Sequence, residues 1–217
     1  MLARLNGYVG TAAGIPAGLG GLPPVVFAGT TQTALLLAAS REAGIRRERL
    51  IGSAPEAFAA AVTAIVAMEA RCSPSEVKVA VLGAPPGRPE GLGGLPSGIS
   101  VQSGPSFVVP WSEASIGGYA LERVLTQVQL ARLENRLARL WPPGPYALGL
   151  AAARIVEAIV TSSRRSFTVL SVLGGEFGIR GRAGSLQVLL SPTGIAHVRV
   201  PTLNPRERVR IETALGA

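Results

Sequence analysis

Cysteine, histidine and lysine each occur once in these 217 residues, as Cys72, His197 and Lys78. A single cysteine cannot close an intramolecular disulfide or build a cysteine-based zinc site. It fits a reducing compartment, and a cytoplasmic location is expected. No metal site is expected either. The opening segment, MLARLNGYVG, has one arginine and no long apolar run, so it does not read as a signal peptide. The most apolar stretches are interrupted, one at residues 30–33 and another by Arg154 and Glu157, so no membrane-spanning helix is expected. Aromatic residues are scarce, at 5%, and are not interleaved with the basic residues as stacking platforms for bases would be. The net charge of +8 and pI of about 11.1 therefore do not point to nucleic acid. The short basic groups at 46–49 and 206–210 contain glutamates, and the dispersed arginines read as solvated helix faces.

Hydrophobic residues make up 47% of the chain, enough for the core of one large domain or two small ones. Residues 2–20 suggest a helix weakened by Gly10, Gly14, Pro16 and Gly18. Pro23-Pro24 leads into an apolar strand, VVFAG, at 25–29. Residues 31–43 predict a helix stopped by Gly44, and RERLIGS predicts a short strand. Ser53 and Pro55 start another helix, running to about Cys72. Residues 77–82, VKVAVL, predict a buried strand. A loop rich in Gly, Pro and Ser covers 88–106. The hexapeptide GLGGLP occurs at 18–23 and 91–96, but neither copy completes a phosphate-binding glycine pattern between strand and helix. A helix is expected over 119–141, with Leu121, Val124, Leu125, Val128, Leu133, Leu137 and Leu140 at helical spacing. Another is expected over 146–161. Strands follow at 167–173, 185–191 and 195–200, the last two joined by a tight turn at Pro192-Thr193-Gly194. Asn204, Pro205 and Glu207 open a final helix. The element order reads as α/β and then α+β.

The loop after the strand at 77–82 raises a question of chemistry. Strand-end loops commonly carry reacting side chains. This one offers Ala84, Pro85, Pro86 and Gly87, none of which can move a proton.

Several stretches resemble the lactate/malate dehydrogenase family. They are RERLIGSAPEAFAAAV, VKVAVLG, VVPWSEASIGG at 108–118, GPYALGLAAARIVEAIV at 144–160 and, most specifically, VLSVLGGEFGIRG at 169–181. The resemblance implies a remnant of a Rossmann-type parallel sheet over 1–53, comprising a helix, two strands and a helix. The family's C-terminal α+β domain would follow over 54–217. It also implies NAD as the family's cofactor, bound on an N-terminal half whose first strand, glycine fingerprint and ribose-binding acid are not in this sequence. At the positions that align with the family's catalytic residues, Pro85 stands for the proton-transferring histidine. Phe58 and Ala61 stand for the carboxylate that orients that histidine and the arginine that grips the substrate, and Thr30 stands for an asparagine. No residue is therefore expected to be catalytic or cofactor-binding. His197 reads as a surface strand residue, and Glu56 as a first-turn acid favoured by the helix dipole.

The expected role is then a non-catalytic protein working through association with itself or with a full-length dehydrogenase relative. The strand at 25–29 would have one unpaired, apolar edge, and the helices at 31–43, 55–72 and 146–161 would offer docking faces. The alternative is an NAD-dependent malate or lactate oxidoreductase whose N-terminal half is missing from this chain.

Overall fold

The computed structural model describes residues 23–29, 32–85 and 106–216. The expected helix at 2–20, Thr30 and nearly all of the loop at 88–106 lie outside them. The apolar run after Pro24 forms β1 (Val25–Phe27), which pairs in parallel with β2 (Leu50–Gly52), Val26 opposite Ile51. Between them α1 (Gln32–Arg41) buries Leu36 and Ala39. The helix ends two residues short of the expected position. The amides of Glu42 and Ala43 still reach the Ala38 carbonyl, and Gly44, at φ +63°, turns the chain so that Ile45 N–H bonds to Ala39 O at 3.1 Å. The segment RERLIGS is a strand only over its last half, because residues 47–49 form a single 3-10 turn.

Helix α2 (Ala54–Ala70) begins with Pro55 in its first turn, as expected. Ser53 precedes it but does not cap it. Its hydroxyl instead donates to the Phe27 carbonyl at 3.0 Å, tying the end of β2 to the end of β1.

Strands β3 (Val77–Lys78) and β4 (Leu82–Ala84) replace the single strand expected at 77–82. β3 pairs with β6 (Ser115–Ile116), which pairs with β7 (Tyr119–Ala120), to make a small second sheet. β4 pairs with β5 (Ser106–Val108) in the main sheet. Ala80 and Val81 are buried where the chain crosses between the sheets. There the Val81 carbonyl, off the ladder, accepts a 2.7 Å bond from the buried Ser185 hydroxyl.

The helix expected over 119–141 is also divided. β7 is followed by α3 (Leu121–Val124) and α4 (Gln127–Leu137), and then by a 3-10 turn at 138–140. Thr126 causes the restart through a capping box: its hydroxyl accepts from Gln129 N, and Gln129 Oε1 accepts from Thr126 N at 2.9 Å. The break rotates the apolar stripe. Leu121, Leu125, Leu133 and Leu137 are buried, whereas Val124 and Val128 are exposed. Helix α5 (Pro145–Thr161) follows, starting one residue earlier than expected.

The three late strands are β8 (Ser166–Gly174), β9 (Arg180–Ser191) and β10 (Gly194–Arg199), paired antiparallel in sequence order. The main sheet runs β1-β2-β8-β9-β4-β5, with β10 also on β9. The parallel pair thus joins an antiparallel region through β2 and β8, where Gly52 faces Leu170. Among the described residues β1 pairs only with β2, leaving it at the sheet edge as expected. Helix α6 (Pro205–Leu215) is capped by Asn204, whose side chain accepts from Glu207 N at 2.8 Å. The buried Glu207 carboxylate also accepts from Ser112 N at 3.1 Å, fastening α6 to the turn at 111–113.

The β2–β8 junction depends on Gly52. A Cβ there would press into Gln32 Oε1 and stand 2.8 Å from Leu170 Cβ. Gly52→Ala is expected to lower stability by about 1–3 kcal/mol, as overpacking of a filled core does. Thermal unfolding followed by circular dichroism checks this, and an unchanged midpoint would contradict it.

Candidate functional site

The positions singled out by sequence converge on the start of α2 and the end of β4. Phe58 is fully buried and stacks on Phe107, with ring centroids 4.7 Å apart and planes at 26°. Trp141 closes the group edge-on, 5.1 Å from Phe107 and 6.2 Å from Phe58. Phe107 sits on β5 opposite Gly83 of β4, two residues before Pro85. Phe58 thus packs on the strand that pairs with β4, whose last residue precedes Pro85. Pro85 is buried, and Ala61, one turn beyond Phe58, is half-buried. Thr30 lies outside the described residues. Such edge-to-face and offset packing of rings is favourable in a dry core and provides no group for proton transfer or anion binding at 58, 61 or 85.

The single histidine is remote from this place. His197 is exposed on β10 opposite Leu189 of β9, while Gly83 of β4 is opposite Ser185. Those two β9 positions are four residues apart, roughly 13 Å along a strand, and the antiparallel register carries Pro85 farther away. The expectation of a surface strand residue holds. The 13 acidic residues of the chain are all glutamates.

Glu56 is the acid closest in sequence to Phe58, and its role differs from the one expected. It does sit in the first turn of α2, but it is buried and bonded across the fold. One carboxylate oxygen accepts from Thr168 N of β8 at 2.9 Å, and the other lies 3.6 Å from Arg154 Nη1 of α5. The residue therefore cross-links α2, β8 and α5. Burial pushes its carboxyl above the usual range, and the Thr168 amide with the Arg154 and Arg165 charges offsets only part of that.

The most specific motif, LGGEFG, has a structural function. Gly174 N–H donates to Glu176 Oε2 at 2.6 Å, and Arg47 Nη1 donates to both Glu176 oxygens, at 3.0 and 3.1 Å, and to Val172 O at 3.2 Å. A Cβ on Gly174 would collide with the Arg47 guanidinium, and Gly175, at φ +134°, occupies backbone space closed to other residues. Burial works against ionisation of Glu176, but the surrounding amides and Arg47 outweigh it and hold its carboxyl below the usual range. Sequence pattern singled out the glycines and Glu176 but not Arg47, 129 residues away from Glu176. A shallow cleft of about 310 Å³ beside this clamp is lined by Arg47, Glu48, Ser171, Glu176 and His197. The Arg47 side chain is already committed to Glu176, Val172 and, through Nε, Glu48 at 3.2 Å.

The described residues do not fit a dinucleotide. At the C-terminal ends of β1 and β2, where an α/β sheet would receive a ligand, the buried Gln32 side chain fills the space over Gly52 and accepts from Ala54 N at 3.3 Å. No glycine fingerprint lies between a strand and a helix there. Among the described residues there is also no group of three or more metal-ligating side chains.

The carboxyls of Glu56 and Glu176 predict opposite pH behaviour. A raised folded value for Glu56 means that the folded chain holds its proton more tightly than the unfolded chain. Stability is therefore lost as pH rises from the unfolded value through the folded one. Glu56→Gln should thus gain melting temperature relative to wild type as pH rises above the ordinary carboxylate range. For Glu176 the folded value is lowered, so its contribution is present above the unfolded value and disappears as pH falls through the folded one. Glu176→Gln should lose about 1–3 kcal/mol at neutral pH, with the deficit closing in acid. Parallel pH-dependent melting curves check both, and differences independent of pH would contradict them.

No protein-family model matches the chain. It is 28% identical over 184 residues to the L-lactate dehydrogenase of Thermus aquaticus, covering 78% of this chain and 54% of that protein. It is 29% identical over 174 residues to the malate dehydrogenase of Cytophaga hutchinsonii, covering 77% and 51%. The chain thus spans about half the length of the curated relatives it matches. The fold is similar to that of the malate dehydrogenase from Aeropyrum pernix, with a TM-score of 0.74 at 19% identity over 98% of this chain and 68% of that one. It is equally similar to that of the Salinibacter ruber malate dehydrogenase, with a TM-score of 0.76 at 18% identity over 99% and 66%. In sequence the chain is similar to lactate and malate dehydrogenases, and its fold is similar to that of solved malate dehydrogenases.

Proposed function

We propose that this chain is a non-catalytic member of the lactate/malate dehydrogenase family that acts through protein–protein association, with a second copy or with a full-length dehydrogenase relative. One observation carries this reading. The positions where the family resemblance implies an acid, a cation and a histidine hold Phe58, Ala61 and Pro85, and Phe58 is locked into a three-ring cluster. The single histidine of the chain, which could move a proton, lies away from them on β10. Loss of a whole catalytic unit leaves only whatever binding contributes.

Association is supported by apolar side chains left in solvent, among them Met68 at 74% exposure, Tyr146 at 93% and Val160 at 75%. No single helix among the described residues is long and apolar enough to cross a membrane. The edge of β1 is a second available surface, though its three residues offer little ladder to a partner.

A second reading is an NAD-dependent malate or lactate oxidoreductase whose dinucleotide-binding half is not in this chain. Its support is that the relatives are dehydrogenases matched over about half their length. Calorimetric titration with NADH, and NADH oxidation assayed with oxaloacetate and with pyruvate, separate the two. The proposed function predicts no heat of binding in the micromolar range and no turnover. Micromolar binding or measurable oxidation would overturn it.

A further inference from the structure

Helix α4 turns Leu130, Leu133 and Leu137 to the core and leaves its other side in solvent. That outer side is basic. Arg132 and Arg136 are exposed one turn apart, and Arg139 follows, also exposed, in the 3-10 turn at 138–140. Among the described residues none of these arginines takes part in an ion pair. The one acid of α4, Glu134, is already held by Trp111 Nε1 at 3.3 Å and by Arg210 Nη1 at 2.8 Å. At 100° per residue it lies on the far side of the helix from Arg132. A row of guanidinium groups therefore stands with nothing from its own helix to neutralise it.

The row leads out of a cleft. An open cleft of about 440 Å³ lies between the last turn of α2 and the junction of α3 with α4, where Met68, Val124, Leu125 and Gln129 line it. Met68 and Val124 are both exposed there. Glu69 and Arg71 also line the α2 side and balance each other in charge, so α4 sets the sign of the surface. Gln129 lies within about 60° of both Arg132 and Arg136 around the helix axis. The apolar wall and the cationic row thus share one surface, roughly 15 Å long from Gln129 to Arg139.

We infer that this surface docks an acidic segment of a partner protein, with an apolar side chain of that segment seated in the cleft and its carboxylates paired to Arg132, Arg136 and Arg139. The planar guanidinium fork matches a carboxylate bidentately, and arginine beside exposed methionine is the composition of a protein interface. Other occupants fit less well. A single-stranded nucleic acid would need aromatic platforms for its bases, and the α4 face from 127 to 137 has none. A second copy of the chain would bring the same arginines and a net charge of +8. An anionic bilayer would meet the arginines but leave the recessed cleft unused.

The inference rests on the association reading above and narrows the partner to one that exposes acid. Fluorescence anisotropy of the full chain measures it, with a short labelled peptide in which two leucines precede a run of glutamates. The expected result is saturable binding in the micromolar range at low salt. Replacing the leucines by serine should weaken it about 10-fold. Replacing the glutamates by glutamine should abolish it. The double variant Arg132→Gln/Arg136→Gln, with an unchanged circular dichroism spectrum, should weaken binding about 5-fold. Met68→Ser should weaken the leucine peptide and leave the serine peptide unaffected. Absence of saturable binding would overturn the inference, as would binding indifferent to R132Q/R136Q or to M68S. So would tighter binding of a labelled single-stranded oligonucleotide or of phosphatidylserine vesicles than of the peptide. A chain that associates with itself or with a dehydrogenase relative but not with the peptide would overturn this inference and leave the association reading standing.

Discussion

The stack of Phe58, Phe107 and Trp141 is the contact on which the functional reading depends. It draws together the start of α2, the strand that returns to β4, and the segment between α4 and α5. Rings packed in this way gain from area and from edge-to-face geometry, and a dry cluster penalises any charge placed within it. Two neighbouring positions match that environment: Pro85, after β4, is buried without a proton to give, and Ala61 of α2 adds no charge. A charged substrate entering here would have to displace aromatic surface and would meet no counter-ion at these positions.

Around that cluster the fold is fastened by polar links between elements far apart in sequence. Arg47 and Glu176 clamp the turn before β2 to the β8–β9 hairpin, and Gly174 makes room for the guanidinium. Glu56 joins α2 to β8 and α5, and Glu207 joins α6 to the turn at 111–113. Each of these carboxylates is spent on architecture. The segment that most resembles the family therefore reports how its hairpin is built and not what reaction it performs. Of the large apolar side chains left in solvent, Tyr146, Leu150, Val156 and Val160 share α5.

Much of this was legible in the sequence, for reasons that particular residues make plain. Asn204-Pro205-x-Glu207 specified the start of α6 because a capping box is local chemistry. Pro192-Thr193-Gly194 located the β9–β10 turn. The failures came where period and pairing compete. Residues 119–141 keep a helical apolar spacing across a real break, and Thr126 with Gln129, the local signal for that break, is outweighed by the longer stripe. Residues 77–82 read as one strand because β propensity does not reveal which partner each half will meet. The partners of Glu56 and Glu176 were hidden for the same reason: Thr168, Arg154 and Arg47 come close only after the sheet has closed.

We propose that the place where the resemblance puts the family's catalytic pocket is a packed aromatic cluster that offers a reduced dinucleotide no charge at positions 58, 61 and 85. Trp141 stands inside it, so energy transfer from tryptophan to NADH reports directly on occupancy. Titration of the full chain with NADH, exciting tryptophan, is predicted to give no sensitised nicotinamide emission and no saturable quenching. Saturable transfer in the micromolar range, abolished by Trp141→Phe but not by Trp111→Phe, would contradict the account.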